Sequence, residues 1–363
     1  MIVVLGAGII GLFCALNLLK HGKEVKIIDV ENAKGTASNA AVGMLAPLIE
    51  ARPSENQLFK LMLESKEIWD LFLKDLIFSK NTGLKHNSSI LVAQNADDEE
   101  RIKFKKKFFK KLGFETQILN SSETMEIEPN LNSNVKCSLL CKNHNQIEPI
   151  LLKKLLIEKV INMGGDIRKV KNLDSFEFND KKLNTYDKNF DAEKIIIACG
   201  AWSNIIIEKS LAISFPTRPI KGVSMLFSTD TQLFSNNIWF RNVYLAPRKN
   251  NLLAVGATED DKGFDKSISL DEIHFISKSL WEYLPEIEKL RFENAFSGLR
   301  SGVIDGNPII GELKVNNNII CAFGHFRHGI LLAPVTAKIV CNYVFGKKIE
   351  ERYNFFSPKR FNL

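Results

Sequence analysis

Near the start of the chain, Ile2 to Leu5 are four consecutive apolar residues with no polar alternation, and they run straight into glycines. A run this short and uniform predicts a strand buried on both faces, as in a parallel sheet. LFCALNLLKHG then predicts a helix reaching Gly22, and EVKIID a second strand ending at Asp29. Gln57 to Leu76 has the spacing of a long amphipathic helix. From about residue 86 the pattern changes. The β-like run SILVAQ (Ser89 to Gln94) leads into DDEERIKFKKKFFKKLGF, a helix whose predicted apolar face carries Phe104, Phe108 and Leu112, with lysines opposite. Gln146 to Ile167 predicts a helix ended by Gly164 and Gly165, followed by an irregular β region closing in KIIIACGAWSN. Between 216 and 299, VSMLFS, NVYLAPRK and NLLAVGAT predict antiparallel strands. The remaining residues return with a strand, NIICAFG, and a helix starting near Gly329. The whole predicts an α/β (α+β) protein of two domains. One is a Rossmann-type nucleotide-binding domain with a parallel central sheet, built from 1–85, 140–215 and 300–363. The other is a substrate domain with a large antiparallel sheet, built from 86–139 and 216–299.

Composition narrows this little. A chain of 363 residues with 45% hydrophobic content can bury one large core or two moderate ones. The net charge of +7 comes mainly from lysines dispersed among asparagine and isoleucine, which favours solubility over nucleic-acid binding. The basic helix at 101 to 111 reads as a solvated face, with membrane or RNA contact as its alternative. Cys14, Cys137, Cys141, Cys199, Cys321 and Cys341 sit mostly in apolar stretches, as buried thiols of a reducing compartment do. No leader-like segment and no run of 18 apolar residues is present, so a cytoplasmic location is expected. Cys137, Cys141 and His144 match no zinc spacing and are expected to fill a strand, with no metal bound.

The glycines carry the first chemistry. GAGIIG places Gly6, Gly8 and Gly11 between a strand and a helix. Gly6 suits the tight turn, Gly8 the approach of a pyrophosphate, and Gly11 close packing of helix on strand. The helix N-terminus faces the phosphates. Asp29, 18 residues beyond the last glycine, can accept both ribose hydroxyls. GTASNAAVGMLAP (Gly35 to Pro47) is small and flat enough for a large planar group, with Ser38 and Asn39 to hydrogen-bond it. A long helix follows it rather than further βαβ units, which favours FAD over NAD.

Several motifs together carry a resemblance along the whole chain. They are GAGIIG, SNAAVGMLAP, IEP at 147 to 149, ACGAWS at 198 to 203, PIKG at 219 to 222, VYLAPRK at 243 to 249, VGATEDDKGFD at 255 to 265, SGLRSGVIDGNPIIG at 297 to 311 and GHFRHGILLAP at 324 to 334. On these the chain resembles the FAD-dependent D-amino-acid oxidase superfamily and, within it, the bacterial glycine oxidases of thiamine biosynthesis. The resemblance implies non-covalent FAD, contacted at Gly6, Gly8, Ile9, Ile10, Gly11, Asp29, Val30, Ala37, Ser38, Val42, Gly43, Met44, Val170, Ala198, Gly200, His325, Phe326, Arg327, His328, Gly329, Ile330 and Leu331. It implies that Arg300 clamps a substrate carboxylate with its planar fork, helped by the Tyr244 phenol and by Arg327 over the flavin. The N-terminus of the helix at Gly329 would favour negative charge on the flavin pyrimidine edge. His325 and His328 are expected to bond the backbone.

The implied reaction is hydride transfer from the Cα of glycine, sarcosine or a small D-amino acid to flavin N5. The resulting imine is hydrolysed to a 2-oxo acid and ammonia, and O2 leaves as hydrogen peroxide. The resemblance also implies hand-off of the glycine imine to thiazole synthesis, and a homo-oligomer with no nucleic-acid or membrane partner. A quinone-linked D-amino-acid dehydrogenase and a flavin-dependent tRNA-trimming domain are the alternatives, with a non-catalytic flavin scaffold as a third. Ser301, Val223 and Glu259 depart from the pattern at positions that bear on substrate range. Glu50 is expected near the mouth of the site.

Overall fold

The computed structural model describes residues 1–171, 177–179, 182–184, 189–241 and 243–362. Asn242, the first residue of the expected strand NVYLAPRK, and much of the irregular β region after Val170 lie outside the described residues.

The uniform run Ile2–Leu5 forms the strand it predicts, and its alternation explains the pattern. Ile2 and Val4 face a core shared with helices Ile9–Lys20 and Gly329–Val344, while Val3 and Leu5 face a second core with Ile195, Ile197 and Phe323. With both faces covered, neither parity can be polar. Parallel neighbours Val25–Val30 and Lys194–Ile197 flank this strand, pairing Ile2 with Val25 and with Lys194. The six-stranded sheet runs Ile309–Glu312, Ile319–Phe323, Lys194–Ile197, Ile2–Leu5, Val25–Val30, Asp166–Val170, and its first pair is antiparallel.

A nine-stranded sheet forms the second layer system. Arg291–Val303 pairs antiparallel with Thr217–Ser228, and the order continues through Leu252–Gly256, Tyr244–Pro247, Asn237–Trp239, Lys85–Ala93, Cys137–Gln146 and Met44–Leu45, with Gln117–Asn120 as the ninth strand beside Cys137–Gln146. Helix Leu270–Tyr283 closes its core through Ile276 and Leu280. Fully buried Lys221 ties the two together, its Nζ lying 2.7 Å from Glu272 and 2.9 Å from Asp265.

Two sequence expectations are corrected. The segment read as a helix from Gln146 is strand up to Gln146, whose buried amide donates to the Pro247 carbonyl at 2.8 Å. The helix is Pro149–Asn162. Pro149 suits the first helical turn and disfavours helical backbone in the residue before it, so the extended chain must persist up to it. The domain boundary expected at 140 therefore falls inside a strand of the second sheet.

The second correction concerns helix Ala96–Lys111, which buries Asp98, Ile102 and Phe109. Phe104 and Leu112 are exposed and Phe108 is half-buried. Asn95 caps the helix by accepting from the Asp98 amide, and Lys105 folds inward to the Ile49 carbonyl at 2.7 Å. With that anchor Phe104 and Leu112 point outward, while Phe108 packs partly on the core.

The helix Asn56–Phe72 fixes the C-terminal helix by a route set in the sequence. Pro334 lies inside Gly329–Val344 and cannot donate to the Ile330 carbonyl. The Trp69 indole N–H donates there at 3.2 Å and to the Leu331 carbonyl at 3.0 Å, while the Ser65 hydroxyl donates to Leu331 at 2.6 Å. These two carbonyls, that of Ile330 freed by Pro334, thus anchor the helix whose N-terminus reaches the site.

Candidate active site

Both sheets contribute to one cavity of about 1390 Å³. At one end, Gly6 has φ +100, and a side chain there would strike the Ala198 carbonyl. Gly11 lies against the Gly6 carbonyl, where any Cβ would overlap it. These two glycines serve chain packing. Gly8 and Gly329 differ: an added Cβ would meet only Ser38 Oγ at 3.4 Å and His325 Cβ at 3.8 Å respectively. No neighbouring protein atom demands a glycine at either position, and both line the cavity. Ser38 accepts from the Ile9 amide at 3.1 Å, locking the small-residue segment onto the helix start. Asp29 stands at the cavity wall with Lys169 Nζ 2.7 Å from its carboxylate, a partner not foreseen from sequence.

Of the residues expected to contact a cofactor, Gly6, Gly8, Ile9, Ile10, Asp29, Val30, Ala37, Ser38, Val42, Gly43, Met44, Ala198, Gly200, His325, Phe326, Arg327, Gly329 and Ile330 line this cavity. Gly11, Val170, His328 and Leu331 stand behind the wall. Val170 packs in the core on the far face of the six-stranded sheet, and Leu331 in the helical core.

Strand Arg291–Val303 brings Arg300 into the wall of the same cavity. Its Nη1 donates to the Thr258 carbonyl at 3.0 Å, and its guanidinium lies over Gly222, where an added side chain would push it aside. Among the described residues no carboxylate pairs with Arg300, so the charge is positioned by carbonyls and left unneutralised. The Tyr244 ring packs on Gly256 with its phenol beside Arg300. Burial raises that phenol's pKa and the neighbouring guanidinium opposes the rise. Trp239, absent from the sequence expectation, lies 4.9 Å from Tyr244 and also lines the cavity, and its buried indole N–H has no hydrogen-bond partner. Nothing in the sequence distinguishes this tryptophan from a core aromatic of a strand.

Arg327 is less free than expected, since its Nε donates to Glu50 at 2.8 Å. His325 is buried and bonded through Nε2 to the Thr336 hydroxyl at 2.9 Å, not to backbone. Burial brings its pKa down to about 3, and that of His328 to about 4. Both imidazoles are neutral at pH 7. Among the described residues no group of three or more His, Cys, Asp or Glu side chains is placed to hold a metal ion.

The family model described as FAD dependent oxidoreductase matches residues 1–343. The chain belongs to this family. It is 26% identical to a glycine oxidase of Bacillus licheniformis over 367 residues, 97% of this chain and 94% of that one. A crystal structure of glycine oxidase from Geobacillus kaustophilus superposes with a TM-score of 0.90 at 25% identity, covering 98% of this chain and 97% of that one. A bifunctional protein ThiO/ThiG from Trichormus variabilis is 24% identical over 99% of this chain, which spans 55% of that protein. FAD fits the cavity observed. The glycines Gly6 and Gly8, the carboxylate of Asp29 and the cavity-facing Gly329 all line it. No helix among the described residues is long and apolar enough to cross a membrane.

Proposed function

We propose that this FAD-dependent enzyme oxidises glycine, and by extension sarcosine or small D-amino acids, to the imine and then the 2-oxo acid, with O2 as final acceptor. The observation that carries this reading is Arg300. It is a guanidinium held by carbonyls, flanked by a phenol and paired with no acid among the described residues, in the same cavity as the glycine cradle. The glycine oxidase names of similar proteins agree with it.

Arg300 and Tyr244 clamp the substrate carboxylate, which fixes the orientation of the Cα–H and the amine. Neutral His325 and His328 offer no strong base, so the amine enters the reaction deprotonated. Bound FAD supplies the hydride acceptor and passes the electrons to O2. The N-terminus of Gly329–Val344, anchored by Trp69 and Ser65, presents amide donors to the cavity where negative charge would gather. FAD is held without a covalent bond in this reading. The six cysteines are free, which supports a reducing, cytoplasmic setting. The bifunctional relative supports delivery of the imine to a downstream thiazole-forming step. Exposed Leu270 and Trp281 on one helix support a homo-oligomer.

The test is anaerobic mixing of the yellow protein with glycine, sarcosine, D-alanine and D-proline in turn, followed by admission of air. Fast loss of flavin absorbance with glycine, recovery in air and peroxide release are expected. Absence of bleaching by all four amines would refute the assignment.

A further inference from the structure

The lysine-rich helix Ala96–Lys111 carries a buried stripe and, beside it, two apolar residues left exposed at its edge and end. Asp98, Ile102 and Phe109 face the core, whereas Phe104 is 58% exposed and Leu112 38% exposed, with half-buried Phe108 between them. At about 100° per residue these three form a stripe that adjoins the buried one, with Phe108 packed partly on the core and Phe104 farthest from it. From Arg101 to Phe114 the sequence has seven basic residues and no acid. Lys103 pairs with Glu99 and Glu100, and Lys105 with carbonyls. Lys106, Lys107, Lys110 and Lys111 are exposed and have no carboxylate partner among the described residues. Lys107 and Lys111 border the Phe104–Phe108–Leu112 stripe. Arg101 and Phe104 line the cavity together with exposed Arg52, Pro53 and Glu100, so this face of the helix borders the cavity.

We propose that helix Ala96–Lys111 docks the protein on an anionic phospholipid bilayer, lying in the plane of the surface with the cavity mouth turned to the headgroups. An apolar stripe bordered by unpaired lysines matches the two layers of such a surface, acyl boundary and anionic headgroups. A nucleic acid would use the lysines and leave Phe104 and Leu112 without a role. Docking leaves the FAD dependence of the enzyme untouched, and the proposal stands whichever amine proves to be the substrate.

The flavin-loaded protein is sedimented with vesicles of phosphatidylcholine alone and of phosphatidylcholine with phosphatidylglycerol, in about 0.1 M and about 1 M salt. Binding is expected only to the anionic vesicles and only at the lower salt. The exposed pair Lys107→Gln with Lys111→Gln should weaken partitioning about 30-fold, with the flavin spectrum retained. Phe104→Ser should weaken it roughly tenfold, and F104W should restore it with a blue shift of indole fluorescence on docking. The proposal is overturned by equal sedimentation with both vesicle types, or by binding that neither the lysine pair nor Phe104→Ser reduces. It is also overturned if Phe104→Ser binds normally while transfer RNA displaces the vesicles, which would make the face a nucleic-acid surface.

Discussion

Arg300 shows what a residue's surroundings add to its type. Its carbonyl partners and its seat on Gly222 hold the fork, and with no acid paired to it among the described residues a substrate carboxylate is the charge it lacks. Arg300→Ala should lower the rate constant for flavin reduction at subsaturating glycine by roughly 30- to several-thousand-fold, the ~2–5 kcal/mol of a truncated buried charge pair. Arg300→Lys should recover only part, because an ammonium cannot make the bidentate contact. Arg300 was legible in sequence from its motif, whereas Trp239 was not, because its role depends on which strand end opens onto the cavity. The histidines give a second prediction at this scale. Burial places the pKa values of His144 and His325 at about 3 and that of His328 at about 4. Unfolded imidazoles take a proton near 6.5, so this stability is complete above pH 6.5 and falls as pH drops toward 4, by ~1.4 kcal/mol per pH unit per histidine. Neither ring nitrogen of His144 has a hydrogen-bond partner. His144→Leu should therefore hold or raise the thermal midpoint at pH 7 and flatten its decline between pH 6.5 and 5.

Among the elements, the C-terminal helix is the one that converts packing into chemistry. Gly329 has helical backbone and nothing near its Cβ position except His325, so its lack of a side chain matters to the cavity and not to the fold. Gly329→Ala should raise the stability of the FAD-free protein by about 0.5–1 kcal/mol, as alanine does for glycine in a helix, and weaken FAD retention. Unfolding of the stripped protein and flavin release on gel filtration read the two opposite signs. The buried Lys221–Glu272 pair joins strand Thr217–Ser228 to helix Leu270–Tyr283, and Lys221→Met should cost about 3 kcal/mol by taking the nearest cation from a buried carboxylate that keeps Ser269 and, at 3.8 Å, Lys262. Adding Glu272→Gln should recover much of that loss in denaturant unfolding. The existence of these elements was readable from apolar spacing. Two details were not: the start set by Pro149, and the inward turn of Lys105 that decides which stripe of Ala96–Lys111 is buried. Each depends on a partner from another part of the chain.

At the scale of the whole molecule, the nucleotide wall is assembled from segments that the sequence keeps far apart: Gly6 to Ile10, Asp29 to Met44, Ala198 to Gly200 and Gly324 to Ile330. The glycine signature and Asp29 made the first two legible. Parallel pairing of Ile195 with Ile319 brings in the last two, and no local pattern encodes that register. A ligand that spans all four can bind only when they are folded together, so FAD should act as a link across the chain. Binding to the folded state alone adds about 4 kcal/mol of stability when free FAD is a thousandfold above its dissociation constant, and each further tenfold adds about 1.4 kcal/mol. Stripping FAD should accordingly lower the thermal midpoint, and titrating it back should raise the midpoint with the logarithm of its concentration. Asp29→Ala removes the carboxylate placed for the ribose and releases Lys169, so the variant should show the same climb displaced to higher FAD. A midpoint indifferent to FAD would mean that the four segments hold together without it, and that the cavity is a rigid socket, not a joint closed by its ligand.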